Sequence, residues 1–169
     1  LDHSKPRGVA DASSLYKKTP YDELSVRGFV RIGVGRIDPA ECVDGRLLSA
    51  HGFMGRLSDS MPHLWGTIHE GGVLDADEGG AVLEYRFEYL GVLPAGSQYE
   101  IWSGLRGVGA KKQEFVHLMF TDERRLVLVA EAVGVRLDLI ARKAKVLSES
   151  VQNEMRSRIV LSPNHSAKE

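Results

Sequence analysis

The stretch from Asp44 to Trp65 constrains the fold of this chain more than any other, because its apolar residues follow a helical period and turn chemistry marks its start. Phe53, Met54, Leu57, Met61, Leu64 and Trp65 recur at the three- and four-residue steps that line one face of a helix. Gly52 and Gly55 keep the opposite side thin, so another group can approach there. Ser49 is the expected N-cap. The first turn would then present unpaired backbone N–H groups and a positive dipole end next to Asp44 and His51. Pro62 clashes with the carbonyl of Ser58, which predicts one bent helix or two abutting ones, with Ser58, Asp59 and Ser60 available to cap a second piece.

The flanking sequence alternates instead. Val26, Gly28, Val30, Ile32 and Val34 fall on one face of a first strand, with Arg27, Phe29, Arg31 and Gly33 on the other. A loop follows from Asp38-Pro39 to Gly45, and a second loop runs from Thr67 to Gly80. Four strand-like runs come next, at about 81–90, 97–107, 111–121 and 126–140, with the short breaks of an antiparallel meander. In the first of them Leu83, Tyr85, Phe87 and Tyr89 oppose Val82, Glu84, Arg86 and Glu88, giving one buried and one wet face. The later runs are apolar on both faces, as in Phe115, His117 and Met119 against Val116, Leu118 and Phe120. One face covers the helix. The other needs a second cover, which predicts a partner subunit, a homodimer or homotetramer. Residues 1–24 read as a loose lead-in, 25–147 as the folded domain, and 148–169 as a terminal amphipathic helix with a polar tail.

Composition narrows the class of function. With 22 basic and 23 acidic residues among 169, the chain carries no overall electrostatic footprint for nucleic acid or an anionic membrane. Cys42 is the only cysteine, so an internal disulfide and a cysteine-rich metal site are both out. No apolar run reaches the ~18 residues a membrane span needs, and with no basic stretch followed by an apolar one at Leu1 no signal peptide is expected. A soluble, reducing, cytoplasmic setting is the expectation, and the missing Met leaves open that the chain is a piece of a longer protein.

A strand, a long central helix and four antiparallel strands, with no helical period between Ala81 and Ile140, is the order of the hotdog fold. The expected class is α+β, an antiparallel five-stranded sheet wrapped around the helix; a ferredoxin-like domain would need a second helix between strands. Within that order Asp44-Gly-Arg-Leu-Leu-Ser-Ala-His51-Gly-Phe-Met resembles the active-site segment of hotdog acyl-CoA thioesterases of the 4-hydroxybenzoyl-CoA and Tol-Pal-associated types. In those families a loop Asp precedes by seven residues a Tyr or His at the start of the central helix, and Asp44 and His51 have that spacing. The resemblance extends weakly to Arg136-Leu-Asp-Leu-Ile-Ala-Arg-Lys. It implies that Asp44 attacks the thioester carbonyl or activates water while the N–H at position 51 polarises that carbonyl. The chain departs from the pattern at Cys42, where a second Asp is common, at Arg46, and at Met54, where an aromatic is common.

The residues themselves suit the same chemistry. Thioester hydrolysis requires a base or nucleophile and a donor where charge develops on the carbonyl oxygen; Asp44 could supply the first, and the helix-end N–H groups of His51 and Gly52 the second. The plainer alternative is that Asp44-Gly45 is a turn and His51 a first-turn residue. Asp59, in mid-helix, is the second candidate base. Arg106, Lys111 and Lys112 flank a Gly-rich turn and are candidates to hold the phosphates of coenzyme A, with Arg142 and Lys143 as the next group. Cys42 has no adjacent basic partner in sequence to make it a nucleophile. His51, His63 and His69 lack metal-ligand spacing, so no metal is expected. His117, inside an apolar strand, reads as a core or interface residue. No cofactor is expected beyond coenzyme A as part of the substrate. The rival from another class is a hotdog subunit that binds an acyl thioester or a partner protein without catalysis. A hotdog dehydratase is disfavoured, since its short Asn/Pro-containing loop between Asp and His is missing.

Overall fold

The apolar period of the central segment outweighs its proline. In the computed structural model, which describes Val9 and residues 13–68 and 75–162, the elements run α1 (Ser13–Tyr16), β1 (Val30–Arg36), β2 (Cys42–Val43), β3 (Leu47–Leu48), α2 (Ala50–Ile68), β4 (Glu78–Tyr89), β5 (Gln98–Val108), β6 (Lys112–Thr121), β7 (Leu126–Asp138), β8 (Lys143–Ala144) and α3 (Glu149–Arg156). The α2 helix continues through Pro62 for 19 residues, so it is not two abutting pieces. Phe53, Leu57, Met61, Leu64 and Ile68 are buried along it. Each such side chain contributes on the order of 2 kcal/mol, and together they exceed the ~3 kcal/mol an interior proline costs. Ser58 and Pro62 are both exposed, so the carbonyl that loses its helical donor is left on the wet side. Ser60 caps nothing: its hydroxyl donates back to the Arg56 carbonyl at 2.8 Å. Met54, expected on the buried face, is 38% exposed.

The strand order is β1-β5-β6-β7-β4, antiparallel throughout, with β8 added to β7. This is the expected curled hotdog sheet around one long helix. The simple meander is corrected: β5, β6 and β7 form one, but β4 pairs with β7 and not with β5. Residues 90–97 carry the chain from β4 at one margin to β5, the strand next to the other margin, anchored by fully buried Leu93, whose carbonyl accepts from the Leu48 N–H at 2.8 Å.

Two bulges reset the alternation. In β1 the register shifts between Arg31 and Gly33, after which Gly33 faces α2, so close that a Cβ there would lie 2.6 Å from Ser60 Oγ. Val34 is turned out to 63% exposure instead of inward. Val26, expected in the strand, precedes it and is 76% exposed. In β4 the shift falls between Val82 and Glu84, and Leu83, expected inside, is 65% exposed.

The inner face of the sheet, with Ile101, Leu105, Phe115, Met119 and Leu128, packs on Phe53, Leu57 and Leu64 of α2. The outer face is covered by the chain itself. Tyr16, Leu24, Phe29 and Val160 bury against Val116, Leu118, Phe120 and Val129. Tyr21 stands edge-on to Phe120 and Trp102, at 5.2 and 5.9 Å, and donates to Glu100 at 2.6 Å. Residues 13–24 are therefore not a loose lead-in, and the second apolar face does not by itself call for a partner subunit. The earlier part of that segment and the tail from residue 163 lie outside the described residues.

Candidate active site

The short β2–β3 hairpin delivers the chain into α2. Cys42 pairs with Leu48 and Val43 with Leu47, and the connection uses φ values of 52° at Asp44 and 66° at Gly45, the left-handed pair of a type I′ turn. Asp and Gly suit that turn: Gly carries no Cβ penalty and Asp tolerates the conformation better than most residues. Asp44 is exposed at the tip, and its carboxylate makes no hydrogen bond or ion pair among the described residues. Nothing in this geometry joins it to His51.

Ser49 caps α2 as expected, its hydroxyl accepting from the Gly52 N–H at 3.0 Å while its carbonyl accepts from Phe53. That cap corrects the expectation for Gly52. Its N–H is engaged, and its α-carbon is pressed against the hairpin, where a Cβ would come 2.4 Å from Leu48 Cδ1. The thin side of the helix at Gly52 is filled by the chain's own Leu48, whereas none of the described residues comes within 4 Å of a Cβ placed at Gly55. The His51 N–H has no partner among the described residues, and His51 is exposed. One free donor at a positive helix end is what remains of the expected pair.

The proposed basic group is divided. Arg106 is committed within the sheet, where its guanidinium donates to the buried carboxylate of Glu131 and, at 3.2 Å, to Glu114. Its side chain is 10% exposed. Lys112 also pairs with Glu114, at 2.7 Å, and only Lys111 of the three is exposed without a partner among the described residues. Position matters as much as pairing. The N-terminus of α2 sits at the sheet end that holds Leu93, while Lys111 lies in the β5–β6 turn at the other end, beside Leu147, whose N–H reaches Ala110. Arg142 and Lys143 share that far end, at the end of the β7–β8 turn and the start of β8. A helix of 19 residues separates the two ends by roughly 28 Å. Within one protomer they are not one site.

Asp59 lies on the flank of α2 that faces β1, in an open groove of about 620 Å³ with Arg31, Gly33, Arg56, His63 and Tyr99. Arg56 is held there by Glu41 and lies 5.7 Å above the Tyr99 ring. Asp59 and His63 are exposed one helical turn apart. On the opposite flank is an apolar cavity of about 350 Å³, lined by Ser58, Trp65, Tyr85 and Phe115 among others. Sequence reasoning missed this cavity, because its shape depends on the β4 bulge, which the alternation of apolar residues does not reveal.

Cys42 is half-buried and donates weakly to the Asp38 carbonyl. Desolvation, then the Glu41 and Asp38 carboxylates, raise its thiol pKa, the opposite of what a nucleophile needs. Among the described residues no group of three or more His, Cys, Asp or Glu is arranged to hold a metal ion; His69 lies outside them. Among those same residues no helix is long and apolar enough to cross a membrane.

No family model and no curated protein sequence matches the chain. Solved structures do. A hypothetical protein from Staphylococcus aureus, in complex with CoA, superposes with a TM-score of 0.66 at 11% identity, over 83% of this chain and 90% of that one. A 1,4-dihydroxy-2-naphthoyl-CoA thioesterase from Synechocystis gives 0.61 at 11% identity, over 76% and 96%. The 12:0-ACP thioesterase from Umbellularia californica gives 0.63 at 12% identity, over 79% of this chain and 54% of that one. At these identities the likeness is one of fold, and what the chain shares with these proteins is the hotdog architecture, one long helix wrapped by a curled antiparallel sheet.

Proposed function

We propose that this protein hydrolyses an acyl-CoA or related acyl thioester to the free acid and the thiol. The observation that carries the reading is the open first turn of α2, where the N–H of exposed His51 has no partner among the described residues and is available to a developing oxyanion. The company of the fold supports it, since the solved structures it matches include proteins described as thioesterases and one holding CoA. In this reading Asp44, exposed on the hairpin that enters the same helix, is the nucleophile or the base that activates water. No cofactor takes part, coenzyme A entering only as part of the substrate. The single cysteine supports a reducing, cytoplasmic setting.

The reading includes a homo-oligomer with a site shared between copies. Its support is β4, a 12-residue strand at the sheet margin with Val82 and Leu83 exposed. Two copies paired antiparallel along β4 would set opposite sheet ends side by side, bringing the partner subunit's Lys111 toward this protomer's His51 and relieving the separation found within one chain. Sedimentation that finds a monomer at micromolar concentration counts against this arrangement.

A specific observation favours a second reading, a subunit that binds an acyl thioester without cleaving it: Asp44 serves the I′ turn, and its carboxylate makes no hydrogen bond or ion pair among the described residues. Thiol release from a panel of acyl-CoA and acyl-carrier thioesters separates the two. Hydrolysis predicts turnover that falls at least a hundredfold in Asp44→Asn and less in His51→Ala, whose backbone N–H survives. Retained turnover in Asp44→Asn, with loss in Asp59→Asn, moves the chemistry to the β1 groove. Binding without any thiol release supports the second reading.

A further inference from the structure

Glu41 fastens the hairpin that carries Asp44 to α2. It ends the short turn Pro39–Glu41, in which the Asp38 carboxylate accepts from the Ala40 N–H at 2.8 Å and the Glu41 carboxylate accepts from the Asp38 N–H at 3.3 Å. The same Glu41 carboxylate accepts from the Arg56 guanidinium. Its main-chain carbonyl accepts from the Ser49 N–H at 3.2 Å and would lie 3.2 Å from a Cβ at Gly52. Ser49, Gly52 and Arg56 are three and four positions apart, so they form one stripe along the first two turns of α2. Glu41 lies against all three.

Arg56 is itself backed by β5, where its guanidinium lies 5.7 Å above the ring of buried Tyr99. The β3 strand is held from elsewhere, through the Leu48 N–H to the Leu93 carbonyl and the Ala95 N–H to the Arg46 carbonyl, both at 2.8 Å. The segment leading into β2 meets the helix at Glu41. Asp44 stands between the two strands, and its carboxylate makes no hydrogen bond or ion pair among the described residues, so its place is set by how the hairpin is held. We propose that Arg56 is a positioning residue: by holding Glu41 on α2 it fixes the hairpin over the helix end and sets the separation of Asp44 from the His51 N–H. This rests on the thioester reading above. The Arg56 and Glu41 side chains are 28% and 30% exposed, so solvent screens the pair and its weight in overall stability is small. Its weight in geometry is larger, since a displacement of about 1 Å between reacting groups can cost about a hundredfold in rate.

The test uses the full chain and two readouts: kcat and KM for an acyl-CoA, and hydrogen exchange of the Ser49 amide, which reads the fastening without any turnover. Arg56→Met keeps an apolar stem and removes the charge. It should lower kcat by about tenfold or more with KM within about twofold, because the group holds the hairpin and does not touch the substrate. The melting temperature should fall by no more than about 4 °C. Arg56→Lys should recover part of the rate, since an ammonium still reaches the carboxylate. Glu41→Ala should cost the same as Arg56→Met, and the two together no more than either alone. Ser49 exchange should quicken in Arg56→Met while amides of β6 and β7 keep their wild-type rates. Unchanged kcat, a rise in KM alone, no recovery with lysine, or unchanged Ser49 exchange each overturns the proposal. Faster Ser49 exchange in a protein that releases no thiol even as wild type upholds the fastening and fails the hydrolase reading. Thiol release that Arg56→Met leaves untouched does the reverse.

Discussion

Ser103 Oγ and His117 Nδ1 lie 2.6 Å apart as a cross-strand pair of β5 and β6, both residues wholly buried, and the other imidazole nitrogen, Nε2, has no hydrogen-bond partner among the described residues. Burial lowers the His117 pKa from its ordinary 6.5 to about 4. The folded protein therefore holds this imidazole neutral at a pH where the unfolded chain would protonate it.

The sign follows from linkage. Between about pH 6.5 and pH 4 the unfolded state binds more protons, so stability contributed by neutral His117 is complete above the unfolded pKa and is lost as pH falls through that window. A shift of this size corresponds to about 3 kcal/mol. The double variant Ser103→Ala, His117→Leu should flatten this part of the stability profile. Denaturant titrations at pH 7 and pH 4.5 check it: an unchanged difference between the two pH values would remove His117 as the titrating group.

Arg106 and Glu131 yield the second prediction. Glu131 is 1% exposed in the middle of β7 and takes its charge compensation from Arg106 and from Arg86, at 3.4 Å. Removing one partner of a buried pair costs about 3–5 kcal/mol when the charge left behind is uncompensated; without Arg106, Glu131 keeps only the longer contact with Arg86, so the cost should lie toward or below the lower end of that range. Arg106→Ala should therefore lower the melting temperature sharply, and Arg106→Lys should recover only part of the loss because an ammonium cannot make the forked contact with Glu131 and Glu114. Lys111→Ala, at an exposed turn, should leave stability within ~0.5 kcal/mol. Equal stability of Arg106→Ala and wild type would show the pair to be dispensable.

What the sequence made legible follows from which forces are local. The helical period from Phe53 to Leu64 and the apolar strands β5 to β7 are local patterns, and each appears within a few residues of its expected place. The Ser49 cap and the Asp44-Gly45 turn are equally local and are present. The Leu83 bulge is a matter of pairing between β4 and β7, and single-strand alternation carries no trace of it. Tyr16, Tyr21 and Leu24 follow no period, so their role as a lid over the outer face could not be read from spacing. Arg106 looked available because Glu131, 25 positions later, is its neighbour only once β5, β6 and β7 are side by side. For the site, sequence located the helix end and the hairpin but not the distance of the basic turn from them.

The chain returns across the sheet at its end. After α3, the Val160 N–H donates to Leu105 and the Leu161 N–H to Arg27, both at 2.8–2.9 Å, and Arg27 holds the Ser162 carbonyl at 2.9 Å. Val160 is buried directly over Gly104, where a Cβ would lie 2.0 Å from Val160 Cγ1. That is far inside van der Waals contact with a β-branched side chain on a tethered backbone, which has little room to withdraw. Gly104→Ala should cost about 1–3 kcal/mol as an overpacked contact, and the damage should centre on the terminal segment and the outer apolar cluster rather than on α2. Val160→Ala should cost about 1 kcal/mol as a small cavity. Combined, the two changes should be less harmful than their sum, because alanine at 160 removes the methyl groups that alanine at 104 meets. A double-mutant cycle of denaturant midpoints measures that coupling. Strict additivity would mean that Val160 does not rest on Gly104 in solution, and that another part of the chain covers this end of the sheet.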